Sequence, residues 1–532
     1  MKIHDLPLQW YERPQYRPLL PAQGEGRWFI LSREKLALRR LDAADCESRA
    51  SGGVADRAGL AAAIENTYED WGLPRAPEAA AGIERLGRDE TLCVVTGQQP
   101  GFLGGPLYVL YKALTSIALA RWVEERYGRA CVPVFWVAGE DHDIDEVRTA
   151  RFPGGESAVF SLPHPAGRAP LSSLPIDPAS EAVIEEFISH VSSRPHSDTV
   201  GELAGQYRGR TVASGFAALL ASLLGGHGLV FIDPEKLRPL SRPLVRQCIE
   251  RPAELIERLE DGSRELEDAG LKPFVSSRLP LFLVRDGRRD HLAPTENGLA
   301  IDGGGPRFDR QELLEELEEN PGSFSPGALL RPLIQDYLLP SVATVGGPAE
   351  AGYFSQMGPF SKWLGVEKPR LVLRFQGTTL AGEGRRAWSE LNADTGRLAA
   401  ALCPEDLVDL DEDHGELEEV RGIRERLASL DEALAGERTG SRGLERGLRT
   451  ARESLARLEN RIRKLRARGD ADAWKNASSC WEEILPGGKL QERRWGYLHL
   501  IADHGTDWLE RIIEEIGKDP FSLSHRLLEF ES

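Results

Sequence analysis

The chain has 532 residues, more than one hydrophobic core usually serves, so two or three structural units are expected. Lys plus Arg number 66 against 84 for Asp plus Glu, and the formal net charge of −18 argues against polyanionic nucleic acid as a partner. No run approaches the roughly 20 apolar residues that a bilayer crossing needs, and MKIHDLPLQWYERPQ lacks a signal peptide's apolar centre, so a cytoplasmic protein without a membrane partner is expected.

In chain order, the first strong signal is VVTGQQPGFLGGPLYVLYKALTSIALARWVEERYG at 94–128. An apolar strand runs into a glycine-rich loop, and a helix begins near Pro106, where a missing N–H costs nothing. Gly97, Gly101, Gly104 and Gly105 suit sharp turns or close approach to a ligand, and a helix start offers N–H groups to an anion. The spacing fits neither a Walker loop nor GxGxxG. A ligand site including Gln98 and Gln99 competes with a packing turn. Lys112, two turns into the helix, is placed either to meet a phosphate or carboxylate or to lie on the surface.

Further apolar runs at 132–138, 229–233 and 370–375 alternate with helical periodicity and, with 92–96, predict an α/β, Rossmann-like, mostly parallel sheet whose ligands collect beyond strand carboxyl ends. Stretches 152–200 and 252–330 interrupt the alternation and read as insertions into a core spanning 1–410. After the second run comes GEDHDIDEV, with Glu140, Asp141, His142, Asp143, Asp145 and Glu146. Three uses are open to it: acid/base work on an amine or hydroxyl, binding of Mg²⁺ or another hard cation, and a solvated turn that caps the next helix. ATVGGPAEAGYFSQM at 343–357 offers a second glycine turn at Gly346 and Gly347; a helix from Pro348 would put Glu350, Tyr353 and Gln356 on one face. Arg374, inside an apolar run, requires a buried partner or an anionic ligand.

Around 415 the pattern changes. Val420, Ile423, Leu427, Leu430 and Leu434, then Leu444, Leu448, Ala451, Leu455, Leu458, Ile462 and Leu465, form a coiled-coil seam within 411–470. Gly436, Gly440 and Gly443 favour a hairpin turning near 436–443 over one rod, and a seam half covered by one hairpin predicts a homodimer. The segment 471–532 regains apolar content and is expected to fold back on the core. Six scattered cysteines, Cys46, Cys93, Cys131, Cys248, Cys403 and Cys480, suit reduced core positions rather than a disulfide or zinc framework.

TGQQPGFLGGPLYVLYK, PVFWVAGEDHDIDEV and VGGPAEAGYFSQMGPF, in this order, resemble the bacillithiol biosynthesis cysteine-adding enzymes, as do FSPGALLRPLIQDYLLPSVA at 324–343 and LQERRW at 490–495. The resemblance implies a Rossmann-like core similar to class I aminoacyl-tRNA synthetases, a dimerising coiled-coil arm, and ligation of L-cysteine to the amine of glucosaminyl-malate. GGPLYVLYKALT resembles the synthetase stretch carrying the HIGH signature, but Tyr108 and Tyr111 stand where its histidines would be, and no KMSKS-like loop follows. ATP is the expected energy source, with Mg²⁺ as a possible companion. On this reading Gly97, Gln98, Gln99, Gly104 and Gly105 hold an anionic or nucleotide group. Glu140, Asp141, His142 and Asp143 bind the amine, take its proton or hold Mg²⁺, and Gly346, Gly347, Glu350, Tyr353 and Gln356 close the other side. A metal-dependent hydrolase using the acidic turn and a coiled-coil adaptor are the competing functions.

Overall fold

The computed structural model describes residues 1–6, 40–51, 56–141, 143–154, 158–164, 169–268, 273–391, 394–401, 404–408, 415–433, 442–467 and 471–530. Those within 16–376 and 492–523 form one compact unit; those within 1–15, 377–491 and 524–532 form another. The segment after 471 is thus divided, with 492–523 belonging to the unit that holds the main sheet.

That unit is built on β1 (Leu92–Gln98), followed by α1 (Leu107–Tyr127), β2 (Cys131–Val137), β3 (Val230–Ile232), β4 (Ser341–Gly346), α2 (Pro348–Gln356) and β5 (Arg370–Leu373). The five strands are parallel in the order β5-β4-β1-β2-β3. All residues of β2 and β4 are buried, which explains the continuous apolar sequence of β2: strands covered on both faces do not alternate. Most of α1 is buried as well. A strand at Ser341–Gly346, hidden from pattern reading by its Ser, Ala and Thr, separates β5 from β1. Strand order therefore reverses between β1 and β4, and their carboxyl ends open a crevice where ligands of doubly wound sheets bind.

The insertion at 252–330 contains an antiparallel sheet ordered Arg307–Asp309, Gly298–Ile301, Arg288–Pro294, Leu281–Arg285 and Phe324–Pro326. The one at 152–200 holds the helix Pro178–Val191 and the strand Val159–Ser161, which pairs with Thr149–Arg151.

The second unit joins the strands Lys2–Leu6, His525–Glu529 and Gln376–Leu380 in one sheet. Its helix Gly382–Glu390 receives the half-buried Glu483 carboxylate at its start, through a 2.6 Å bond from the Ala381 amide. Burial pushes the Glu483 carboxyl up to about 8, against the opposing pull of the Ala381 and Gly384 amides. Between its ordinary 4.5 and about 8 the folded chain keeps a proton that the unfolded chain has released, so this group's contribution to stability falls as pH rises through that window. Melting temperature is expected to decline from pH 5 to pH 8, with a shallower slope in Glu483→Gln; parallel slopes would exclude Glu483 as the source.

The helices Gly415–Ala433 and Arg442–Ala467 lie side by side, joined by the ion pairs Arg424–Glu459 and Asp431–Arg452. Partner numbers fall as chain numbers rise, so the helices are antiparallel. The turn expected near 436–443 falls largely outside the described residues. Val420 and Leu448 are buried along the seam, whereas Ile423, Leu430, Leu458 and Leu465 stay exposed, Leu465 at 75%. Among the described residues no helix is long and apolar enough to cross a membrane. The described cysteines are buried and free, and Cys403 lies outside the described residues.

Candidate active site

A cavity of about 520 Å³ opens at the β1–β4 crevice, its walls including Gly97, Gln98, Gln99, Tyr108, Lys112, Glu140, Asp141, Gly347, Glu350, Tyr353 and Arg374. Segments separated by more than 250 residues thus converge because each follows a sheet strand or opens the helix behind one.

Lys112 is not a surface lysine. It is 2% exposed and donates to the Gly97 carbonyl and Gln98 Oε1, each at 2.9 Å, while pairing with Glu350 Oε2 at 2.5 Å. Burial pulls its ammonium below the ordinary value, and the Glu350 carboxylate opposes that shift. The same Glu350 oxygen accepts the Gly347 amide at 2.8 Å, closing the first turn of α2. Tyr353, one turn on, accepts from Arg331 at 3.3 Å. Its phenol and that of Tyr108 are pushed up by burial.

The acidic turn divides by role. Glu140 is 5% exposed and bound by Arg238 at 2.7 and 2.9 Å, so its position as a base is blocked by a buried ion pair. Asp141 accepts from Gln99 Nε2 at 2.7 Å across the cavity mouth. Asp143 is exposed and precedes the short helix Ile144–Val147 without a side-chain capping bond, outside the cavity wall. His142 lies outside the described residues.

Four expected site residues, Gly104, Gly105, Gln356 and Gly346, serve packing instead. Gly104 and Gly105 lie in a turn with Leu103, all at positive φ, away from the cavity lining. The N–H groups there are engaged within the protein: Gly104 donates to Tyr207 Oη, Gly105 to the Phe102 carbonyl and Leu107, at the start of α1, to the Trp495 carbonyl. These three donors of the expected anion cradle are therefore occupied within the protein. A Cβ on Gly104 would meet Tyr497 Oη at 2.1 Å with φ at +82°. Gly104→Ala is expected to lose about 2–5 kcal/mol, combining left-handed strain with overpacking, read as a fall in the urea midpoint. Gln356 is buried and clamps both backbone groups of Val275 and Ser263 Oγ, turning away from Glu350 and Tyr353. Gly346 is buried in the sheet, where its carbonyl accepts the Arg374 amide.

Arg374 has the buried partner that its apolar surroundings demanded. Its Nη2 lies 2.5 Å from Glu492 Oε1, with both side chains at most 3% exposed. The guanidinium also faces the Tyr108 ring at 5.5 Å.

Pattern reading missed Arg289, Arg331, Arg493 and Phe282, all in the cavity wall. Arg289 stacks 3.7 Å over Phe282 and donates to Ser325 Oγ and the Pro326 carbonyl; Arg493 lies 5.9 Å from the Tyr108 ring. Arg331 and Arg493 stood within quoted segments, but an arginine amid polar or turn residues carries no mark separating cavity from surface. In this lining the carboxylates Glu140 and Glu350 each meet a cation, while Arg289, in the field of Glu140 and Asp141, and Arg331 and Arg493 make their direct contacts with neutral groups, an arginine set suited to an anion. Among the described residues no group of three or more His, Cys, Asp or Glu is placed to hold a metal ion.

Two family descriptions match the chain: "Bacillithiol biosynthesis BshC, N-terminal Rossmann-like domain" over residues 35–375 and "Bacillithiol biosynthesis BshC, C-terminal coiled-coil domain" over 418–530. Among curated relatives, proteins described as "Putative cysteine ligase BshC" are 31% identical in Koribacter versatilis, over 90% of both chains, and 32% identical in Solibacter usitatus, over 83% of this chain and 85% of that one. The arginyl-tRNA synthetase of Thermus thermophilus aligns over 86% of this chain and 83% of its own at 12% identity, with a TM-score of 0.19, too low to bear on fold or chemistry.

Proposed function

The chain belongs to the bacillithiol biosynthesis BshC family, and from that premise we propose that it joins L-cysteine to the amine of glucosaminyl-malate in an ATP-dependent, amide-forming ligation. The observation that carries this reading is that Arg289, Arg331 and Arg493 line one cavity together with Asp141 at the strand-order reversal.

Amide formation from a free carboxylate is uphill in water, and ATP supplies the leaving group that activates the cysteine carboxyl. The malate carboxylates and the ATP phosphates fit the arginines, not the glycine turn, whose amides are already engaged. Asp141, oriented by Gln99, takes the proton that the sugar ammonium must lose before its nitrogen can attack. Asp141 is also the residue that would hold Mg²⁺, together with phosphate oxygens. Lys112, saturated by protein acceptors, positions Glu350, the Gly97 carbonyl and the Gln98 side chain rather than meeting a ligand. The reading places the reaction in the cytoplasm.

A homodimer belongs to the same reading, because Ile423, Leu430, Leu458 and Leu465 leave an apolar stripe uncovered on the helical pair. Sedimentation is expected to give a dimer that deletion of 415–467 converts to monomer. The ligation is tested by mass spectrometry after incubation with glucosaminyl-malate, cysteine, Mg²⁺ and ATP, omitting each in turn. Bacillithiol is expected only in the complete mixture; its absence there, or its formation without ATP, sinks the corresponding part of the reading.

A further inference from the structure

Glu350 carries an asymmetry that its role in the fold leaves unused. The Lys112 ammonium and the Gly347 amide both fall on Oε2, at 2.5 and 2.8 Å. Oε1 has no hydrogen bond among the described residues, although the side chain lines the cavity and is 23% exposed. Lys112 meanwhile meets three acceptors, matching the three donors of an ammonium. The pair therefore offers the cavity a carboxylate oxygen, not a cation. Tyr353 lies one turn after Glu350 on α2 and accepts from Arg331, and all three line the cavity, so an acceptor for an ammonium and a donor for a carboxylate share it.

An acceptor and a guanidinium lining the same cavity complement a ligand with an ammonium and a carboxyl group on one carbon atom. We propose that Glu350 Oε1 receives the α-ammonium of the amino-acid substrate, with Arg331 facing its carboxyl end. This assignment rests on the ligase reading and adds a subsite to it. Both amines of that reaction are ammonium ions in water, but they differ in fate. The sugar amine has to become neutral to attack, whereas the α-ammonium of cysteine is unchanged by the reaction and suits a fixed carboxylate partner.

The test crosses removal of the ammonium from the ligand with removal of charge from the protein. Full-length wild type and Glu350→Gln are titrated calorimetrically, under reducing conditions, with L-cysteine, with 3-mercaptopropionate, which lacks the ammonium, and with glucosamine. Wild type is expected to bind L-cysteine at least tenfold more tightly than 3-mercaptopropionate. Glu350→Gln is expected to abolish that preference while leaving 3-mercaptopropionate affinity unchanged. Equal losses for both thiols, or no preference in wild type, overturn the assignment. A loss confined to glucosamine also overturns it, by giving Glu350 to the other amine, and leaves the ligase reading standing. Cysteine binding with the expected preference but no product in the complete reaction mixture retains the subsite and removes the ligase reading. Should Glu350→Gln fail to fold, the charge-free pair Lys112→Met/Glu350→Leu is expected to lose the same preference, and its retention overturns the proposal.

Discussion

Replacement of Glu492 by alanine is expected to cost about 3–5 kcal/mol, because it strands the Arg374 guanidinium in a site where both partners are at most 3% exposed. The penalty is the desolvation of an uncompensated charge, not the loss of two hydrogen bonds. Removing both partners together separates these terms. An Arg374→Met/Glu492→Leu double variant is expected to recover most of the stability, since well-packed apolar groups replace a buried ion pair at little net cost. Chemical denaturation of the single and double variants decides the matter, and a double variant no better than Glu492→Ala would mean that packing dominates. Arg374 lines the cavity, so recovery of stability without recovery of turnover would separate its part in the fold from its part in the site.

Asp141→Asn is expected to lower the rate of amide formation by about 10²–10⁴-fold, the range for loss of a positioned general base, while the melting transition stays near that of wild type. The side chain keeps its shape and an acceptor for Gln99 Nε2, so positioning survives and proton uptake does not. Turnover is measured at saturating substrates across pH 6 to 9. Wild-type turnover in this variant would remove Asp141 from the chemistry and turn attention to His142. Glu140→Gln is the informative contrast. Its carboxylate neutralises Arg238, with both side chains at most 7% exposed, so the variant should lose stability before it loses chemistry.

The acidic turn illustrates what one-dimensional reading can and cannot separate. Glu140, Asp141 and Asp143 are indistinguishable by type and nearly so by position, yet one meets a buried arginine, one faces the cavity and one precedes a helix. Their division depends on Arg238, almost one hundred positions away. Lys112 shows the same limit in reverse: its place on α1 was legible, but its burial followed from the Gly97 carbonyl, Gln98 and Glu350 meeting it from two strand ends.

The apolar runs at 92–96, 132–138, 229–233 and 370–375 marked four strands of the main sheet from local pattern alone, which also gave the helix after Pro106 and the two helices of the charged arm. These rest on local periodicity, continuous burial and turn residues, which neighbours in the chain specify. The family followed from motifs in order. Only the tertiary structure decided that Ser341–Gly346 lies next to β1, which locates the crevice, and that Arg289, Arg331 and Arg493 line it. It also decided that donors at the glycine turn and helix start are occupied by Tyr207 and Trp495 and that Arg374 meets Glu492, 118 residues on. Such pairings answer the need of a buried charge or amide for a partner, and that partner is chosen by which strand ends the sheet order brings together.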